Sequence, residues 1–421
     1  MCTCPTKEIQ EMFDIALEGY KRLAPTLAPG KSSLDSLTRQ TLGTNGRKTT
    51  VAKNGFKAFD SDMHVYDSPD LYKKYMNPKW GPRIPVAEGW NKHGRPQFKI
   101  GGDTLLRPRE QLLDHGEKMV ESRYGFALQR GYDAVSQVQA MDMEGLDVAV
   151  LFRTSPLHCD ETFEPEYASD LCKAWNRWIA DFCKVNPKRL KASALITLHD
   201  VDLAVDEVRR AVKELGVAGL SLCPEPINGK RIHDRYFDPL WAEIEKLGVA
   251  LCFHPPARPR QDQVANKFFD HPNGSIVALA LRNPVELILA VSSFCAGGVL
   301  EKFPKLRVAF LEGNCAWLPW LLYRLDERAK LHGPLADVPL SKKPSDYFLQ
   351  QCFISTDPDE YLVTDVIRRI GDDNIVLSTD YPHIDAHFPH ALDEFFEVDG
   401  IGESSRKKIL WDNCARLYIV Q

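Results

Sequence analysis

From residue 56 onward, short apolar runs alternate along the chain with stretches of helical periodicity. The runs are FKAFD (56–60), DVAVLF (147–152), KASALIT (191–197), VAGLSL (217–222), VALCFH (249–254), RVAFLE (307–312), QCFIS (351–355) and NIVLST (374–379). Near-continuous apolar runs of this length read as strands buried on both faces of a parallel sheet. Between them lie amphipathic stretches such as EPEYASDLCKAWNRWIADFCKV, DLAVDEVRRAVKELG, DPLWAEIEKLG, NPVELILAVSSF and DEYLVTDVIRRIG, and SSRKKILWDNCARLYIV closes the chain. Eight strand–helix units predict an α/β fold, a (β/α)8 TIM barrel. The rival, a doubly wound open sheet, lacks a Gly-rich phosphate turn after its first strand.

Two regions depart from the alternation. KEIQEMFDIALEGYKRL (7–23) places Ile9, Met12, Phe13, Ala16, Leu17 and Tyr20 on one helical face, and a Pro/Gly/Ser/Thr-rich linker follows. We divide the chain into an N-terminal helix and linker arm, 1–55, and a barrel domain, 56–421. The arm packs either on its own domain or on a partner subunit, in a homo- or hetero-oligomer. The second departure is the stretch 66–130 between the first two strands, which has little periodicity and reads as an inserted cap over the barrel mouth.

The chain has 421 residues and a formal net charge of −5. That charge argues against nucleic acid as the main partner, because phosphate binding needs a dense basic surface. No stretch reads as long and apolar enough to cross a bilayer, and no signal peptide is apparent, so no membrane partner is expected. Most of the 11 cysteines sit inside apolar patterns, the habit of reduced, core-packed thiols in a cytoplasmic protein.

The chemistry lies where the strands end. In a barrel, catalytic groups gather at the C-terminal mouth. Strand 1 runs into Asp62 and His64, two residues apart and so on one side of an extended chain. Strand 5 ends in His254, strand 6 in Glu312 and strand 8 in Asp380. Each has a bland reading: a hydrogen-bonded histidine, a helix cap, a turn aspartate. Together they put three carboxylates and two imidazoles at one mouth. Without a cation the carboxylates would repel one another and raise each other's pKa. His383 is a mouth residue or a supporting partner. Arg153 is a candidate clamp for a substrate carboxylate, or a salt-bridge residue. Trp317 is an apolar wall, or a helix-core residue. No role is assigned to His158, His199, His233, His271, His387 or His390.

The strand-1 D-x-H, MDMEGLDVAVLFRT, FHPP, LEGNCAWLPWLLYRLDE and STDYPH, in this order, resemble the amidohydrolase superfamily. More narrowly they are similar to the branch that includes aminocarboxymuconate-semialdehyde decarboxylase and the non-oxidative benzoate decarboxylases. The resemblance implies a metal at the barrel mouth, with Asp62, His64, His254 and Asp380 at the family's ligand positions. It also implies that Asp380 moves a proton as well as ligating. Two departures stand out. Asp-x-His replaces the His-x-His of many members, and Glu312 lies where decarboxylase members carry a histidine. The oxygen-rich set shifts the preference from zinc towards iron or manganese, as one ion or two. The expected activity is hydrolysis or decarboxylation of a small carboxylated or amide-bearing substrate, with Asp380, Glu312 and His383 as catalytic candidates. The alternative is O2-dependent hydroxylation at a dinuclear Fe or Fe/Mn site, alone or as a subunit of a complex.

Overall fold

All eight expected strands form, as β1 Phe59–Val65, β2 Val148–Arg153, β3 Leu190–Leu195, β4 Gly219–Leu222, β5 Ala250–Phe253, β6 Val308–Phe310, β7 Cys352–Thr356 and β8 Ile375–Leu377. They pair in chain order, every ladder parallel, into one eight-stranded sheet with helices between the strands. The structure is a computed structural model that describes residues 53–90, 96–100, 103–104, 116–154, 160–255, 268 and 271–419. The chain divides into Met1–Thr49 and Thr50–Gln421, and the described residues belong to the second unit. The helix expected over 7–23 and its linker to residue 52 lie outside them.

Strand periodicity sorts the core into two layers. Val148, Val150 and Phe152, Ala250 and Cys252, and Ala309 and Leu311 point into the barrel, where Cys414, Leu417 and Tyr418 of the C-terminal helix Asn413–Tyr418 join them. The alternate residues Ala149, Leu151, Leu251, Phe253, Val308 and Phe310 pack outward against the helices. Each fully buried Val, Leu or Phe contributes about 1.5–3 kcal/mol.

In β1 this parity changes. Asp60 pairs with Ala149 and Met63 with Leu151, so three steps on β1 match two on β2. The extra residue is a β-bulge. Phe59 faces inward below it, Met63 and Val65 face outward above it, and Asp62 and His64 therefore point into the barrel. The run FKAFD expected a strand ending at residue 60; the strand continues to Val65, because its polar residues are interior ones.

β1 and β8 meet at a seam held largely by side chains. Ser61 Oγ donates to the Leu377 carbonyl (2.7 Å), Ser378 Oγ to the Asp62 carbonyl (3.1 Å), and His64 N to the Tyr381 carbonyl (2.6 Å). Asp60, fully buried, accepts from Asp62 N (3.0 Å), Thr379 N (3.2 Å) and Thr379 Oγ1. Below them, Tyr418 OH donates to the Ser61 carbonyl at 2.8 Å.

The 66–130 stretch carries more structure than its sequence suggested. It holds helix Leu71–Tyr75, a small antiparallel sheet of Val86–Trp90, Pro96–Ile100 and Asp103–Thr104, and helix Gly116–Leu128. One part lies along the barrel's outside, where Trp80 Nε1 donates to Asp170 of helix Pro165–Cys183 (2.8 Å). The last helix leans on the loop after β8: Tyr124 OH donates to the His383 carbonyl (2.8 Å) and Arg123 to the Ala386 carbonyl (3.0 Å).

One expectation needs correction. Helix Gly274–Cys295, after β5, includes a stretch, Ile276–Cys295, long and apolar enough to cross a membrane by length and composition. Its start was obscured by Pro284, which sits inside the helix rather than at its beginning. In the fold its Leu287, Ala290, Val291, Phe294 and Cys295 are buried in the outer core. Among the described cysteines, Cys172, Cys183, Cys252, Cys295, Cys315, Cys352 and Cys414 are free and buried. That agrees with the expectation that most of the cysteines are reduced and core-packed; Cys223, just past β4, is disulfide-bonded.

Candidate metal centre

The bulge in β1 brings Asp62 and His64, both fully buried, to the mouth. His254 continues the inward parity of Ala250 and Cys252 one residue past β5. Its Nδ1 lies 3.0 Å from the Pro255 carbonyl. Donation there leaves the Nε2 lone pair aimed at the centre.

Glu312 and Asp380 reach the same point by another route. Both adopt left-handed backbone, φ 61° and 56°. Non-glycine residues there carry about 1–2 kcal/mol of steric strain, and such strain clusters at functional sites. The turn at Glu312 swings its side chain inward, although strand parity after Leu311 would aim it out.

The donor atoms converge closely. His254 Nε2 lies 3.1 Å from His64 Nε2, 2.6 Å from Glu312 Oε2 and 3.5 Å from Asp62 Oδ2. His64 Nε2 lies 3.6 Å from Asp62 Oδ1, 3.6 Å from Glu312 Oε2 and 3.4 Å from Asp380 Oδ1. Asp380 Oδ1 lies 2.6 Å from His383 Nδ1. Two groups share His64: Asp62, His64, His254 and Glu312, and His64, Asp380 and His383, each with donors within 4.8 Å of one another.

A divalent cation fits this set. Both oxygens of Asp62 are buried without a hydrogen bond, as are His64 Nδ1 and Asp380 Oδ1. Buried carboxylates left this way cost several kcal/mol unless a charge compensates them. Donors about 2.0–2.2 Å from a shared ion stand about 3–4 Å apart, close to the separations here. The electrostatics agree. Burial, reinforced by Glu312, raises the Asp62 pKa against the pull of both histidines. Burial followed by Glu312, Asp385 and Asp62 raises that of Asp380 well above the carboxylate range. Burial also pushes Glu312 up, but His254 and His64 prevail and hold it well below its ordinary value. Burial pulls His254 down, yet Asp62 and Glu312 drive it up to about 9.

Of the other sequence candidates, His383 joins the cluster. Its ring centroid lies 4.2 Å from that of His64, and its Nε2 is 3.3 Å from Thr154 Oγ1. Arg153 lies elsewhere. It follows the inward Phe152, so it turns outward and pairs with Asp67 (3.3 Å) and Tyr72 OH (2.6 Å). Binding a substrate carboxylate there would require opening a buried ion pair. Trp317 sits half-buried at the start of helix Leu318–His332, with Nε1 donating to the Gly313 carbonyl at 2.7 Å. His199 contacts Thr197 and the Asp160 carbonyl, and His387 lies against Asp359 and Glu394. His158 lies outside the described residues.

Three polar residues at the mouth escaped the sequence reading. Asn283 Nδ2 donates to Glu312 Oε1 (2.9 Å), and Asn314 Nδ2 to Asp357 Oδ2 (2.8 Å). Asp357 continues the inward parity of Phe353 and Ser355, and burial with Glu360 and Asp359 nearby pushes it up to about 7. The rule that residues two apart share one side of a strand, used for Asp62 and His64, would have set Asp357 beside Phe353 and Ser355.

The family model described as Amidohydrolase matches residues 128–419. The chain belongs to the amidohydrolase family. It is 29% identical over 296 residues to gamma-resorcylate decarboxylase of Rhodococcus jostii (strain RHA1), covering 67% of this chain and 86% of that one. It is 27% identical over 251 residues to 2-amino-3-carboxymuconate-6-semialdehyde decarboxylase of Dictyostelium discoideum, covering 60% and 67%. The solved structure of dihydroxybenzoic acid decarboxylase from Polaromonas sp. JS666, with bound manganese and an inhibitor, superposes with a TM-score of 0.59 at 21% identity, covering 86% of this chain and 97% of that one. The expected fold and family thus agree with the relatives, and the solved Polaromonas decarboxylase structure holds manganese.

Proposed function

We propose that this enzyme is a metal-dependent carbon–carbon lyase that decarboxylates a small carboxylated substrate. The observation that carries the reading is the convergence of Asp62, His64, His254, Glu312 and Asp380 at one mouth, where both Asp62 oxygens, His64 Nδ1 and Asp380 Oδ1 have no hydrogen bond, with His383 Nδ1 2.6 Å from Asp380 Oδ1. Decarboxylation breaks a C–C bond, leaves the electron pair on carbon and requires a proton at that carbon. Asp62, His64, His254, Glu312 and Asp380 would hold a divalent ion, which when bound would supply Lewis-acid polarisation of a substrate oxygen.

The protein's own groups supply the rest. Asp380 Oδ1, between His64 Nε2 and His383 Nδ1, is placed to hold and pass the proton. Thr154 Oγ1, on the far nitrogen of His383, orients that ring. Phe152 stacks on His254 with centroids 5.7 Å apart, fixing its plane and excluding water from one side. The test is release of CO2 from a panel of hydroxybenzoates by manganese- and zinc-loaded protein, with and without chelator. CO2 release that chelator stops and Asp380→Asn abolishes supports the reading. Chelator-insensitive turnover overturns it.

A second reading is O2-dependent hydroxylation at a dinuclear centre, in which Asp380 and His383 would hold a second ion, since the one lone pair of His64 Nε2 serves a single ion. It requires two ions per chain and product formation that stops without oxygen. Oligomerisation through residues 1–55 belongs to the proposal too, and deletion of residues 1–50 followed by sizing tests it.

A further inference from the structure

We propose that Asn283 is a positioning residue that fixes which oxygen of Glu312 faces the metal, an inference that rests on the metal-centre reading above. Glu312 divides its two oxygens between two tasks. Oε2 faces His254 and His64, while Oε1 accepts a hydrogen bond from Asn283 Nδ2 at 2.9 Å. With Oε1 occupied, the carboxylate presents one oxygen to the ion rather than two.

The orientation of the amide is itself set. Arg282 Nε donates to Asn283 Oδ1 at 3.1 Å. That carbonyl oxygen is thereby committed to the guanidinium, and the NH2 end must face Glu312. A neutral donor suits the task. It orients the carboxylate without cancelling the negative charge that the cation needs, whereas a lysine or arginine there would compete with the ion.

The backbone makes the contact possible. Glu312 turns in left-handed conformation, and Gly313 lets helix Gly274–Cys295 approach: a Cβ at Gly313 would lie 2.4 Å from Leu287 Cδ1 and 3.5 Å from the Asn283 backbone carbon. Ser355 Oγ completes the support by accepting from Glu312 N at 3.1 Å. The helix thus holds the Glu312 carboxylate through Asn283, while β7 holds the backbone of the same residue through Ser355.

The test measures Mn2+ affinity by competition with a chromogenic chelator, in wild type, Asn283→Ala, Glu312→Ala and the double variant, with thermal melts alongside. Asn283→Leu, nearly isosteric, serves if Asn283→Ala is unstable. Partners that orient a ligand are each worth about 10–100-fold in metal affinity. The expected result is a loss of about that size on removing Asn283 alone, and no further loss when Glu312 is already alanine. An equal loss in both backgrounds overturns the proposal, because Asn283 would then act on the fold and not through Glu312. Unchanged affinity also overturns it while leaving the metal centre standing. A wild type that binds no Mn2+ removes both.

Discussion

Asp60 and Asp62 stand two residues apart in β1, both fully buried, in opposite circumstances. Asp60 lies at the seam and accepts three hydrogen bonds, one from Asp62 N within β1 and two from Thr379 that tie β1 to the residues after β8. Asp62 lies at the mouth and accepts none. The bulge between them separates a carboxylate whose work is done within the protein from one whose partner must come from outside. The wider contrast is the same. The barrel bottom is closed by apolar side chains and Tyr418, whereas the mouth gathers charge that the protein alone leaves uncompensated.

The largest expected effect breaks the mouth and spares the seam. Asp380→Asn should lower turnover about 10²–10⁴-fold, the usual range for loss of a proton-transferring group, with an unchanged far-UV spectrum. A loss of less than tenfold would remove Asp380 from the chemistry.

Next is pH. In the metal-free protein His254 is pushed from 6.5 to about 9 by Asp62 and Glu312, despite its burial. A raised histidine binds its proton more tightly when folded. Its stabilisation is complete below pH 6.5 and is lost as pH climbs through about 9, a difference of about 3 kcal/mol. Asp62 and Asp380, whose pKa values are also raised, act in the same direction, since ionising them costs the folded state. Urea melts of chelator-treated protein should therefore show stability falling between pH 6.5 and 9. Metal affinity should rise over the same window, because a ligating histidine must be neutral. Flat melts would mean that the mouth is not charged as described.

The two aspartates then separate by sign. Asp60→Asn should destabilise the protein by about 1–3 kcal/mol, with or without metal, by breaking a satisfied buried carboxylate. Asp62→Asn should abolish metal binding while leaving the metal-free protein as stable or more so. The same sign for both in metal-free melts would erase the distinction. The smallest effect belongs to the bottom: Tyr418→Phe removes the bond to the Ser61 carbonyl and should cost about 1 kcal/mol, with Mn2+ affinity unchanged. A change in affinity would show that the plug reaches the mouth.

The sequence made the barrel legible because a strand buried on both faces is written as an apolar run, and all eight runs became strands. The five ligand candidates were legible for a related reason: each is a polar residue at the point where such a run stops. What escaped depends on contacts between distant segments. The bulge in β1 is a mismatch with β2. Asn283 lies on a helix 29 residues before the glutamate it touches. For Arg153 the choice between substrate clamp and salt-bridge residue stayed open, because sequence does not reveal Asp67 and Tyr72 waiting on its outward side. The disulfide at Cys223 and the full length of the helix through Pro284 were hidden by local patterns that suggest otherwise, an apolar setting for a thiol and a proline that usually starts a helix.

The most direct test of the central claim is a calorimetric titration of chelator-treated protein with Mn2+, run on wild type, Asp60→Asn and Asp62→Asn. The account predicts stoichiometric binding in wild type, binding retained in the Asp60 variant, and none in the Asp62 variant. Full catalytic activity in wild type stripped of metal, or undiminished Mn2+ binding in Asp62→Asn, would contradict it.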